Sequence, residues 1–111
     1  EIEQLRAINF AYTKEVANRA FSEVMGLDRT FHEVVATASR NPVLIDVLRV
    51  LHARSQRFWA ISLSSSGHMN EVQDEHEIVV NALAQGDVEG AQAAIAEHVL
   101  SFRNALISAR T

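Results

Sequence analysis

A chain of 111 residues is the size of one domain, and 48% hydrophobic against 22% charged residues is the balance of a globular protein, which argues against disorder. Lys plus Arg number 10 against 14 Asp plus Glu, a formal net charge of −4, so the chain lacks the basic excess of a free-standing nucleic-acid binder. No cysteine is present, which excludes disulfides, thiolate metal sites and thiol nucleophiles, and no apolar run approaches the ~18–20 residues of a membrane span.

Scarce turn formers divide the chain into five segments of helical length. The first covers about 1–24, with Leu5, Ile8, Tyr12, Val16, Ala20 and Val24 at helical spacing and Gly26 at its stop. The second, about 28–39, carries Phe31, Val34, Val35 and Ala38. Asn41 is placed to cap the third, with Pro42 at the first helical position, where a missing N–H costs nothing. Leu44, Leu48, Leu51 and Phe58 form an apolar stripe on that helix, and the polar stretch Ser64-Ser65-Ser66-Gly67, with His68 beside it, reads as the longest loop. Asn70 is a candidate cap for the fourth, followed by Glu71, Asp74 and Glu75 near the positive end of the helix dipole. Gly86 ends that helix and Asp87 caps the fifth, which runs to about residue 109. Short connections make sequence neighbours antiparallel, so the expected fold is all-α, an antiparallel bundle of about five helices.

Three of these helices aim an imidazole inward. In the fifth, Val88, Ala91, Ile95, His98, Phe102 and Leu106 form the apolar stripe, so His98 takes a core position. In the fourth, Met69, Val72, His76, Val79 and Leu83 place His76 the same way. In the second, Asp28 and His32 stand four apart on a face bounded by Phe31 and Val35. A buried imidazole needs partners for its ring nitrogens or loses a few kcal/mol to desolvation. A lone His on such a stripe is ordinarily a satisfied core residue, and Asp28, just after Gly26, also reads as a helix N-cap. Three inward His and a carboxylate sharing one small core nevertheless suit a divalent ion, because neutral imidazole and carboxylate are good ligands for Zn, Ni, Mn or Fe. The residues leave both readings open. His52, beside Leu48 and Leu51, reads as a rim or core residue, and neither it nor His68 is assigned as a ligand.

Other metal and catalytic patterns fail. His32-Glu33 and His76-Glu77 begin like H-E-x-x-H, but Ala36 and Val80 stand where the second His belongs. Gln73 and Ile95, three residues before His76 and His98, exclude the Glu-x-x-His pairs of a di-iron bundle. No phosphate-binding glycine loop or G-x-S-x-G elbow occurs. On the third helix, Arg54 and Arg57 share a stripe with Val47, Val50 and Ile61. They read either as solvated surface arginines or as a fork of donors holding an anionic carboxylate.

The run from Asp28 to Leu44, DRTFHEVVATASRNPVL, resembles the D-x-x-F-H…A-S-x-N-P-x-L signature of the FCD domain, the C-terminal effector-binding domain of FadR-subgroup GntR transcription regulators. Asp74-Glu75-His76-Glu77-Ile78, followed by Ala82-Leu83-Ala84-Gln85-Gly86-Asp87, is similar to its E-H-x-x-I…A-I-x-x-G-D segment, and Ala91 through His98-Val99 to its closing A…H-L element. Asp28, His32, His76 and His98 follow one another at intervals of 4, 44 and 22 positions. The resemblance implies that these four coordinate one divalent cation, zinc first among Zn, Ni, Mn and Fe. It further implies a cytoplasmic, homodimeric regulator whose metal anchors a small organic acid. Arg54 or Arg57 would neutralise a second anionic group, and DNA would be contacted only through an N-terminal winged helix-turn-helix. That domain and the further helix that normally opens the family's domain are not within residues 1–111, so the whole chain is expected to be effector-binding and dimerisation domain, with an exposed groove favouring dimerisation or exchange with a neighbouring chain. Two alternatives stand beside the sensor: a metal-dependent hydrolase and a helical domain with a purely structural metal. Glu33, Glu77 and Glu97 each adjoin a candidate ligand and so point about 100° away from it on a helix, leaving no visible general base. The expectation is therefore a protein that is not an enzyme.

Overall fold

The chain folds into helices α1 (Ile2–Ala17), α2 (Phe21–Ala38), α3 (Pro42–Leu63), α4 (His68–Ala84) and α5 (Val88–Arg110), with no strand among the described residues. The structure, a computed structural model, describes the backbone of residues 1–63 and 68–110 and the side chains of 1–56, 58, 71–104 and 107. The Ser64-Ser65-Ser66-Gly67 stretch and the side chains of Arg57, Met69, Asn70 and Leu106 lie outside the described residues. The all-α architecture expected from periodicity is the one observed.

Two of the expected caps form. Asn41 Oδ1 accepts from the backbone N–H groups of Val43 (3.1 Å) and Leu44 (3.2 Å), satisfying two of the donors that a helix start leaves without partners. Asp87 Oδ1 accepts from the Gly90 N–H at 2.9 Å and satisfies one such donor at the start of α5. A β-carbon at position 90 would meet the Asp87 carboxylate, so glycine is what lets the cap approach so closely. At the fourth helix the backbone of His68 already lies in α4, rather than in the loop expected there.

The first boundary differs from expectation. α1 ends at Ala17, not near residue 24, and Gly26 lies inside α2 rather than at a stop. Arg19 makes the turn, with φ 55°. The Ala20 N–H reaches back to the Glu15 carbonyl (3.0 Å), and the Arg19 N–H to that of Val16 (3.0 Å). This is the pattern Gly86 uses after α4, where φ is 70° and the Asp87 N–H reaches the Ala82 carbonyl at 2.9 Å. An arginine occupies the left-handed position that usually announces itself as glycine. The shift carries Asp28 from a supposed helix start to the middle of α2, so it is not a cap.

Turns of three residues return α2 alongside α1, α3 alongside α2 and α5 alongside α4. α1 also lies against α4, and α5 against α3, so the helices close a ring in the order α1, α2, α3, α5, α4. Apolar packing fills that ring on two levels. Tyr12, Val16, Val24 and Val72 pack with Phe102, while Leu5, Ile8, Phe31 and Val80 pack with Val34 and Val35; Leu27 touches both groups. α3 meets its neighbours through the side carrying Ile45, His52, Ser55 and Gln56, so its stripe of Leu44, Leu48, Leu51 and Phe58 is exposed. Among the described residues, no helix is long and apolar enough to cross a membrane.

Gly26 has no steric reason to be glycine, since a β-carbon there would meet nothing within 4 Å. Gly26→Ala should stabilise the protein by roughly 0.5–1 kcal/mol through helix propensity alone. Thermal and urea unfolding measure this, and a loss of stability would show that the α2 interior requires glycine.

Candidate functional site

The ring of helices encloses a polar cluster between its two apolar levels. α2 contributes Asp28 and, one turn later, His32; α4 contributes His76 and α5 His98. Each offers one donor atom, and the four atoms lie within 4.8 Å of one another. These are the four residues that the periodicity had turned inward. Asp28 Oδ1 is 3.4 Å from His32 Nε2 and 3.3 Å from His76 Nε2, and His76 Nε2 is 3.3 Å from His98 Nε2.

Their environments are graded. The side chains of His76, Asp28 and His98 are 0%, 2% and 7% exposed, against 27% for His32. Phe31 stacks face to face on His76, with centroids 4.1 Å apart and planes 3° from parallel, and Tyr12 meets the same ring edge-on at 5.6 Å. His32 and His98 lie nearly parallel, 5.4 Å apart. α1 thus walls the cluster with an aromatic ring but is not the source of any of these four donors.

Two residues missed by the sequence reading complete the surroundings. Glu75 Oε1 lies 2.8 Å from His98 Nδ1. Donation by Nδ1–H to that carboxylate leaves the Nε2 lone pair facing the cluster, which is how outer carboxylates orient metal-binding imidazoles. The available signal was the α4–α5 hairpin itself: Glu75, His76 and His98 stand about equally far from the Gly86-Asp87 turn, which sets them opposite each other. His52, from α3, places Nε2 3.6 Å from Asp28 Oδ2. Of the proposed anion-binding arginines, Arg54 is exposed on α3 and the side chain of Arg57 lies outside the described residues.

Burial pushes the His76 imidazole down to about 4, with Asp28 opposing. Burial likewise lowers His98, against the hydrogen bond to Glu75, and lowers His52. For Asp28, burial favours the neutral acid, but the imidazoles of His32 and His76 outweigh it and hold the carboxyl well below the usual carboxylate range. At neutral pH the cluster therefore combines an ionised carboxylate with imidazole lone pairs. Asp28 Oδ1, His76 Nδ1 and His52 Nε2 are buried without hydrogen-bond partners. Of these, Asp28 Oδ1 faces the converging imidazole nitrogens, and a divalent cation there fits the nitrogen and oxygen donors. The Tyr12 hydroxyl, also buried and unpaired, is driven well above its ordinary range by burial and by Asp28 and Glu75, and stays protonated.

The chain matches the family model of the FCD domain over residues 1–101. No curated protein and no solved structure matches it.

Acid should weaken the metal-free fold through His76. Its value falls from 6.5 to about 4 on folding, so the unfolded chain takes up the proton first, and stability drains away as pH falls through that interval. Urea midpoints measured across this range should decline, and His76→Leu should flatten the slope. Glu75→Ala should move the His98 titration lower still, because the lost hydrogen bond favoured the charged ring; an unmoved or raised His98 resonance in NMR titration would contradict the pairing.

Proposed function

The chain belongs to the FCD family, the ligand-sensing regulatory domains of GntR-type transcription regulators, and on that premise we propose that its buried cluster is a metal-anchored effector site. The observation that carries the reading is the convergence of Asp28, His32, His76 and His98 from three helices onto one point. These four residues would hold a divalent ion, zinc first among Zn, Ni, Mn and Fe, since imidazole and carboxylate donors without thiolate suit all four. A bound ion supplies positive charge and Lewis acidity toward the carboxylate of a small organic acid.

The chain's own residues do the rest. Glu75 orients His98, Phe31 holds the plane of His76, and the surrounding apolar levels limit water. Arg54 or Arg57 neutralises a second anionic group on the acid. Residues 1–111 are thus an effector-binding and dimerisation domain, working as a cytoplasmic homodimer. The exposed apolar stripe of α3 supports the homodimer part of this reading. DNA is contacted by an N-terminal domain of a longer polypeptide, whose operator affinity the acid alters by favouring one arrangement of the dimer. Catalysis has no part in it.

Elemental analysis of protein purified without chelator should find about one divalent ion per chain, and reconstitution should raise the melting temperature, because binding to the folded state alone stabilises it. On that sample, one class among mono-, di- and tricarboxylic acids should add further stabilisation. His76→Ala and His98→Ala should each lose the ion and the acid response together, and stoichiometric metal in either variant would remove that residue from the shell. Arg54→Ala or Arg57→Ala should weaken acid binding by about tenfold or more, the scale of a lost charge-assisted hydrogen bond; undiminished affinity in both would end the arginine role.

A further inference from the structure

The two oxygens of Asp28 face different company. Oδ1 looks toward His32 Nε2 and His76 Nε2, at 3.4 and 3.3 Å, while Oδ2 looks toward His52 Nε2, at 3.6 Å. His52 comes from α3, which supplies none of the four clustered donors, and its Nε2 is not one of the atoms gathered within 4.8 Å. Yet that nitrogen is buried and has no hydrogen-bond partner, an arrangement that costs free energy unless the site uses it. A movement of a few tenths of an ångström would bring it within ordinary N–H···O range of Oδ2.

We infer that His52 is a positioning residue for the metal site: its Nε2–H donates to Asp28 Oδ2, leaving Oδ1 as the single oxygen offered to the ion. The inference rests on the metal reading above and adds a role for a fourth histidine, one that does not touch the metal. A carboxylate held by one oxygen cannot swing to bind an ion through both, so the donor on Oδ2 fixes the number as well as the direction of the oxygen ligands. His52 also ties α3 to α2 at the cluster, with its ring 5.1 Å from that of His32.

Zinc affinity measured by chelator competition tests this on the wild type, His52→Leu and His52→Gln, with metal-free melting temperatures taken alongside. Leucine fills the space without a donor, and glutamine restores an N–H at about the position of Nε2. His52→Leu should bind zinc about 10–100-fold more weakly while its metal-free melting temperature stays the same or rises, and His52→Gln should recover to within about threefold of wild type. X-ray absorption of the zinc-loaded wild type should count three imidazoles. Equal affinity in His52→Leu, or equally poor binding in His52→Gln, would overturn the role. Four imidazoles in the wild type would make His52 a direct ligand and overturn it as well. A wild type that binds no zinc or other divalent ion would overturn the metal reading itself, which separates that failure from failure of the His52 role alone.

Discussion

A carboxylate as deeply buried as that of Asp28 costs several kcal/mol to remove from water unless nearby groups stabilise its charge. In this protein those groups are imidazoles delivered by other helices and by the next turn of α2. His32 comes from the same helix, His52 from α3 and His76 from α4, while His98, from α5, reaches the carboxylate's surroundings through His76. The ring order of the helices is what brings these imidazoles around one carboxylate. Each tight turn sets the register of one more nitrogen, and a slip of one residue in α4 or α5 would turn its His about 100° away from the centre.

Apolar levels above and below give the polar cluster its rigidity. Phe31 serves both: it belongs to the Leu5, Ile8 and Val80 packing group and also lies flat on His76. Tyr12 does the same for the other level, packed with Val16, Val24 and Val72 while its ring meets His76 edge-on. His76 is therefore the least adjustable member of the set. It sits between two aromatic rings with no exposed side-chain surface, so other side chains must adapt to it.

Much of this was legible in the sequence, because helical periodicity is a strong signal when a helix is long and one-sided. Replacing an apolar residue by His76 or His98 at the centre of such a stripe identified two donors, and Asn41-Pro42 and Gly86-Asp87 marked their turns from side-chain chemistry alone. The α1–α2 boundary was not legible, since the turn rests on Arg19 in a left-handed conformation while the conspicuous Gly26 is merely tolerated inside α2. Asp28 was consequently read as a possible cap as well as a ligand, and only its place in mid-helix removes the first option. Glu75 and His52 escaped for another reason. Their roles depend on partners 23 and 24 positions away, across a packed interface, and nothing local distinguishes them from a surface acid or a rim histidine.

The uneven exposure of the donors gives the cluster a direction. His32 and His52 keep part of their surface in solvent, whereas His76 is closed off entirely and Asp28 nearly so. Solvent therefore touches the set at His32 and His52 on the α2–α3 side and at Glu75 on α4, and reaches none of the His76 side chain. For the binding role proposed above, the residues that would set how fast the site fills and empties are thus different from those that would set how tightly it holds. A substitution at the threshold would change exchange times with little effect on equilibrium, while one against the aromatic wall would do the reverse.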